Sequence, residues 1–71
     1  MANRTFLYAI KNIKKYRKQK KYTQEQLSEL AGISTDFLSE IERGKKKASI
    51  DTLDSIINTL GIEPYMLFVD V

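Results

Sequence analysis

The chain contains no cysteine and no histidine. Without cysteine there is neither a disulfide nor a Cys-based zinc site to hold a small fold together. Without histidine the commonest general base, the usual metal ligand and the triad chemistries are all missing. Both absences argue against an enzyme, and no cofactor or metal is implied. No apolar run approaches the roughly 18 residues of a membrane span, and the N-terminus lacks the apolar core of a secretory signal. The expectation is a cytoplasmic protein without membrane contact. Proline occurs once and glycine three times, so the breaks in helix are few.

Acidic residues are also missing from the opening third. Arg4, Lys11, Lys14, Lys15, Arg17, Lys18, Lys20 and Lys21 all precede the first carboxylate, Glu25. The net charge is only +3, but its distribution is that of a surface for polyanions. An ordinary solvated lysine-rich face, or a basic amphipathic helix lying on an anionic membrane or in a partner groove, would leave the same mark. At 71 residues, however, the chain is near the lower limit for a single apolar core. The apolar residues of this stretch, Phe6, Ile10, Ile13 and Tyr16 at helical spacing, are needed inside.

What is present centres on Gly32 to Gly44, G-I-S-T-D-F-L-S-E-I-E-R-G. Ser34 is a good N-cap, Ile33 can staple to Leu38, and Gly44 supplies the stop. At about 100° per residue, Leu38 and Ile41 face the core, while Asp36, Ser39, Glu40 and Arg43 point away with Thr35 at their edge. Just upstream, Thr23 to Gln26 form a capping box and Tyr22 with Leu27 repeats the staple, giving a second short helix to about Ala31. Two short helices across a glycine-containing turn make a helix-turn-helix, whose second helix is built to enter a DNA major groove.

Here the sequence resembles the lambda-repressor-like, Cro-type helix-turn-helix regulators of the XRE family. The resemblance is carried by Ile13, Arg17, T-Q-x-x-L at Thr23 to Leu27, A-G-I-S at Ala31 to Ser34, L-S-x-I-E-R-G at Leu38 to Gly44, and Leu60-Gly61-Ile62. It implies an all-α fold, a compact five-helix domain with the motif formed by helices 2 and 3. It also implies a structural ion pair between Arg17 and Glu42, although Arg17 by composition is only one more cation among lysines. It places Gln24 on a DNA phosphate, a site already favoured by the free N–H groups and dipole of the helix start; a solvent-facing helix former is the plainer reading. Ser28 replaces the alanine usual at its position, and its hydroxyl can back-bond to a carbonyl one turn earlier.

The positions matching the family's base contacts are Thr35, Asp36, Ser39 and Glu40, with Arg43 farther along. Thr35 and Ser39 can donate or accept, the threonine methyl can touch a thymine methyl, and Asp36 or Glu40 can accept from cytosine N4. No asparagine, glutamine or lysine stands there to make bidentate contacts. Asp36 has a second role open to it, complementing the helix dipole in the first turn. Glu40 is the better specificity candidate, by contact or by rejecting wrong sequences. Phe37, between the two faces, is expected to pack in the core, a ligand contact being the other reading. Lys45, Lys46 and Lys47 follow the helix and suit phosphates flanking the groove, as Lys18 and Arg43 do; a solubilising turn is the other reading.

Ser49 then caps a fourth helix, whose stripe Ile50, Leu53, Ile56, Ile57 and Leu60 is expected to be buried, and Gly61 ends it. Residues 62–71 should form a short fifth helix from Pro64 and an apolar tail. By resemblance Leu67 and Phe68 complete the core, leaving Tyr65, Met66, Val69 and Val71 as a homodimer contact. Residues 1–5 are expected to be a flexible lead, and 1–71 a single domain.

The function these features imply is sequence-specific binding of double-stranded DNA as a homodimer, by a stand-alone transcriptional regulator, most simply a repressor, occupying an operator. No small-molecule ligand is implied. The alternative is a protein-interaction module or antitoxin that uses the same scaffold against a protein partner, motivated by Asp36 and Glu40. RNA binding through the basic helix lacks an aromatic platform for single strands.

Overall fold

The computed structural model describes residues 4–69. Within them lie four α-helices, α1 Arg4–Gln19, α2 Gln24–Ala31, α3 Thr35–Glu42 and α4 Ile50–Leu60, and a 3-10 helix, Pro64–Leu67. The expected fifth helix is therefore a single 3-10 turn. Its backbone bonds span three residues, from Met66 N–H to the Glu63 carbonyl and from Phe68 N–H to that of Tyr65. Four residues opened by a proline are too few to close a succession of α-turns. At the other end, Arg4 and Thr5 already belong to α1, so the expected lead does not reach residue 5; positions 1–3 lie outside the described residues.

Local chemistry sets the helix ends. Thr23 caps α2 with the reciprocal Gln26 bond of a capping box, Ser34 caps α3 and Ser49 caps α4. The motif turn depends on Gly32, which is left-handed at φ 75° and ψ 29°, while Ile33 N–H bonds back to the Ser28 carbonyl at 2.9 Å. A Cβ there would meet nothing within 4 Å, so backbone conformation, not space, demands the glycine. Between α1 and α2 the left-handed residue is Lys21, at φ 60°, a conformation that is costlier for any side chain.

The core is one cluster of Ala9, Ile13, Leu27, Leu38, Ile41, Leu53, Ile56, Ile57, Leu60 and Leu67, with Phe6, Tyr16, Tyr22, Ile33 and Phe37 packed at its margin. Two residues expected inside are not. Ile50 is 76% exposed, because the helical stripe runs on to residue 50 while the packed neighbours stop short of it. Phe68 is 36% exposed beside a fully buried Leu67; adjacent residues leave a helix in different directions, so when Leu67 faces the core Phe68 does not.

Three polar side chains are buried among the described residues, Asn12, Ser28 and Glu42. Asn12 is fully buried, and its Nδ2 donates to the carbonyls of both Leu67 and Val69 at 2.8 Å. These bonds fasten the C-terminal segment to α1.

Candidate nucleic-acid interface

The orientation of α3 follows from its apolar side. Leu38 and Ile41 are fully buried, and Ser34 Oγ accepts from Phe37 N–H at 3.0 Å, fixing where the helix starts. The opposite face then carries Thr35, Asp36 and Arg43 exposed, with Ser39 and Glu40 half-buried. These five form one polar strip along a short helix with a free outer surface.

Beneath the strip, Arg17 and Glu42 meet. Arg17 Nε donates to Glu42 Oε2 at 2.8 Å and Nη2 to Oε1 at 3.1 Å. Arg17 Nη1 also donates to the Tyr22 carbonyl at 2.9 Å, so one guanidinium joins α1, the α1–α2 connection and the end of α3. Glu42 is only 2% exposed. Its Oε1 accepts in addition from Gln24 Nε2 at 3.1 Å. Gln24 is thus held at the start of α2 by a carboxylate, with the second proton of its amide uncommitted by that bond.

The strip is joined to α2 by a second contact. Ser28 Oγ donates to the Glu25 carbonyl at 2.9 Å and lies 3.0 Å from Thr35 Oγ1. At the other end, Lys45 and Lys46 N–H both bond to the Glu40 carbonyl, at 2.8 and 3.3 Å, which folds the lysine loop back on α3. Lys46 Nζ then lies 3.5 Å from Glu40 Oε1. Gly44 makes this reversal at φ 75°. Lys18, Lys45 and Lys47 are exposed.

Sequence reasoning reached the outer residues of this surface but missed three links. Asn12 carried a usable signal, for it stands three residues after Ala9 and four before Tyr16 on the buried side of α1. The Ser28 to Thr35 and Glu40 to Lys46 contacts join different elements, where helical periodicity gives no sign. Among the described residues no group of histidine, cysteine, aspartate and glutamate is placed to hold a metal. No helix there is long and apolar enough to cross a membrane.

With this geometry in place, comparison with known proteins is decisive for the family. A helix-turn-helix family profile matches residues 13–67. The chain belongs to the XRE-type helix-turn-helix family. Over 51 residues it is 43% identical to the immunity repressor protein of Bacillus phage phi105, a match covering 72% of this chain and 35% of the repressor. It is 38% identical over 56 residues to the HTH-type transcriptional regulator SinR of Bacillus subtilis, covering 78% of this chain and 50% of SinR. The chain thus spans half or less of the length of these two regulators. Among solved structures it is similar to the restriction-modification controller protein C.AhdI from Aeromonas hydrophila, with a TM-score of 0.84 and 27% identity over 89% of this chain and 96% of that one.

Proposed function

We propose that this helix-turn-helix protein binds double-stranded DNA sequence-specifically as a homodimer in the cytoplasm, and represses transcription by occupying an operator. The observation that carries the proposal is the outer face of α3, a polar strip with exposed Thr35 and Asp36 that is bordered by the lysine loop. Thr35, Asp36, Ser39 and Glu40 are assigned to base edges. Gln24, Arg43, Lys45, Lys46, Lys47 and Lys18 are assigned to phosphates on either side. The relatives support this reading, since their names are those of a repressor, a transcriptional regulator and a controller protein.

The homodimer contact is assigned to the C-terminal segment. Tyr65 is 67% and Val69 39% exposed, and Met66 is half-buried; Val71 lies outside the described residues. Exposed Phe68 joins the patch, and the Asn12 bonds hold its backbone in place. Clustered apolar groups of this kind mark protein interfaces. Two copies would set their α3 helices into half-sites one helical turn, about 34 to 36 Å, apart.

The lysine loop gives the test. Lys46 and Lys47 each supply a phosphate contact, but Lys46 also neutralises Glu40, whose carboxylate would otherwise face a polyanion. Lys47→Ala should weaken binding to all duplexes alike and lower the salt slope by about one. Lys46→Ala should do the same and lose more affinity, because Glu40 is then unshielded. Titrations at several salt concentrations against native and shuffled duplexes check this. A loss confined to one sequence, or equal losses in the two variants, would contradict the assignment. The same Lys46 contact weakens the case for an acidic protein-binding face, since one of its two carboxylates already has a cation.

A further inference from the structure

Ser28 does not reach the surface that would face DNA, yet it touches the residue at the leading edge of the polar strip. It is 2% exposed, so its hydroxyl must satisfy both its proton and its lone pairs within the protein. A serine hydroxyl has one proton to give. The Glu25 carbonyl, on the same helix at 2.9 Å, takes it. The 3.0 Å contact with Thr35 Oγ1 is then a hydrogen bond in which Thr35 donates and Ser28 accepts. In the reverse arrangement Ser28 would give its proton to Thr35 and be left as a buried acceptor with no donor among these contacts. Thr35, an exposed residue, can supply one at no such cost.

We infer that Ser28 sets the hydrogen-bond polarity of Thr35, so that Thr35 presents acceptor lone pairs and a methyl group to the major groove and keeps no proton for it. The inference rests on the DNA-binding reading above and deepens it. A free threonine hydroxyl reads little, because it adapts to donors and acceptors alike. One whose proton is committed is selective. The donors offered by base edges in the major groove are the amino groups of cytosine N4 and adenine N6, whereas guanine O6 and N7 and thymine O4 only accept. Thr35 therefore favours a cytosine or an adenine amino group and rejects a guanine edge. Ser28 is a positioning residue for specificity, acting through Thr35 without touching DNA.

The experiment uses the full chain and duplexes in which each position of the half-site is changed in turn to the other three base pairs. Thr35→Val keeps the shape of the side chain and removes its hydroxyl; the position whose preference it alters is the one Thr35 reads. At that position the unaltered protein is expected to prefer cytosine or adenine over guanine by about tenfold. Ser28→Ala frees the Thr35 proton, and should compress that preference to about twofold there while leaving other positions, the salt slope and the melting temperature close to those of the parent. A merely structural role for Ser28 would move the melting temperature or all positions together. A Ser28→Ala profile equal to the parent's at a position that Thr35→Val alters would overturn the inference, and so would a Thr35→Val profile with no change anywhere. Absence of any base preference in the unaltered protein would overturn this inference together with the DNA-binding reading.

Discussion

Replacing Arg17 with methionine is expected to lower folding stability by about 3 to 5 kcal/mol, the range for removing one partner of a buried ion pair. The carboxylate left behind is 2% exposed, and of its donors only the Gln24 amide would remain. The Tyr22 carbonyl loses a donor as well. Small domains have about 5 kcal/mol or little more in total, so much of the population would be unfolded. For a domain of this size the melting temperature should fall by about 12 °C or more. Loss of DNA binding in this variant would reflect loss of fold. Changing Glu42 to methionine in the same chain should restore much of the stability, because an apolar pair of similar volume removes the uncompensated charge. Thermal melts of parent, single and double variants decide the matter; a single variant within about 1 kcal/mol of the parent would show that the pair is not the tie between α1 and α3.

Charging the C-terminal patch, by Tyr65→Glu together with Val69→Glu, should have the largest effect on binding while leaving the fold intact. Both side chains are well exposed, so neither substitution opens the core. The backbone there is held through the Leu67 and Val69 carbonyls by Asn12, contacts that the side-chain changes do not remove. Like charges brought face to face across a twofold interface would separate the copies. Affinity for a two-half-site operator should then drop by about 10² to 10⁴, the gain that linked binding provides, with little change for an isolated half-site. Sedimentation at binding concentrations, paired with titration against both duplexes, reads the two effects. A variant that stays dimeric, or becomes monomeric without losing operator affinity, would contradict the assignment of the interface.

The legible part of this fold was the part written in local chemistry. Ser34, Ser49 and the Thr23 capping box act within one helical turn, so α2, α3 and α4 begin where these residues predict. The helical repeat likewise identifies Leu38 and Ile41 as the inner side of α3, which is enough to name its outer residues. Where burial depends on what another element covers, periodicity falls short. Ile50 continues the stripe of α4 into solvent, and Phe68 points away from the core that its neighbour Leu67 enters. The links beneath the candidate surface are less accessible still. Arg17 with Glu42 was implied by family resemblance, not by spacing. Ser28 with Thr35 and Glu40 with Lys46 arise only when the motif turn and the lysine loop bring separate residues together. Those contacts decide which protons and charges the outer face can offer a ligand.

Binding of the purified protein to the DNA upstream of its own gene, compared with a shuffled duplex at several salt concentrations, tests the central claim most directly. A salt-dependent affinity that favours the native sequence by about 10³ or more is the predicted result. Equal, weak binding to both duplexes would contradict sequence-specific DNA recognition by α3.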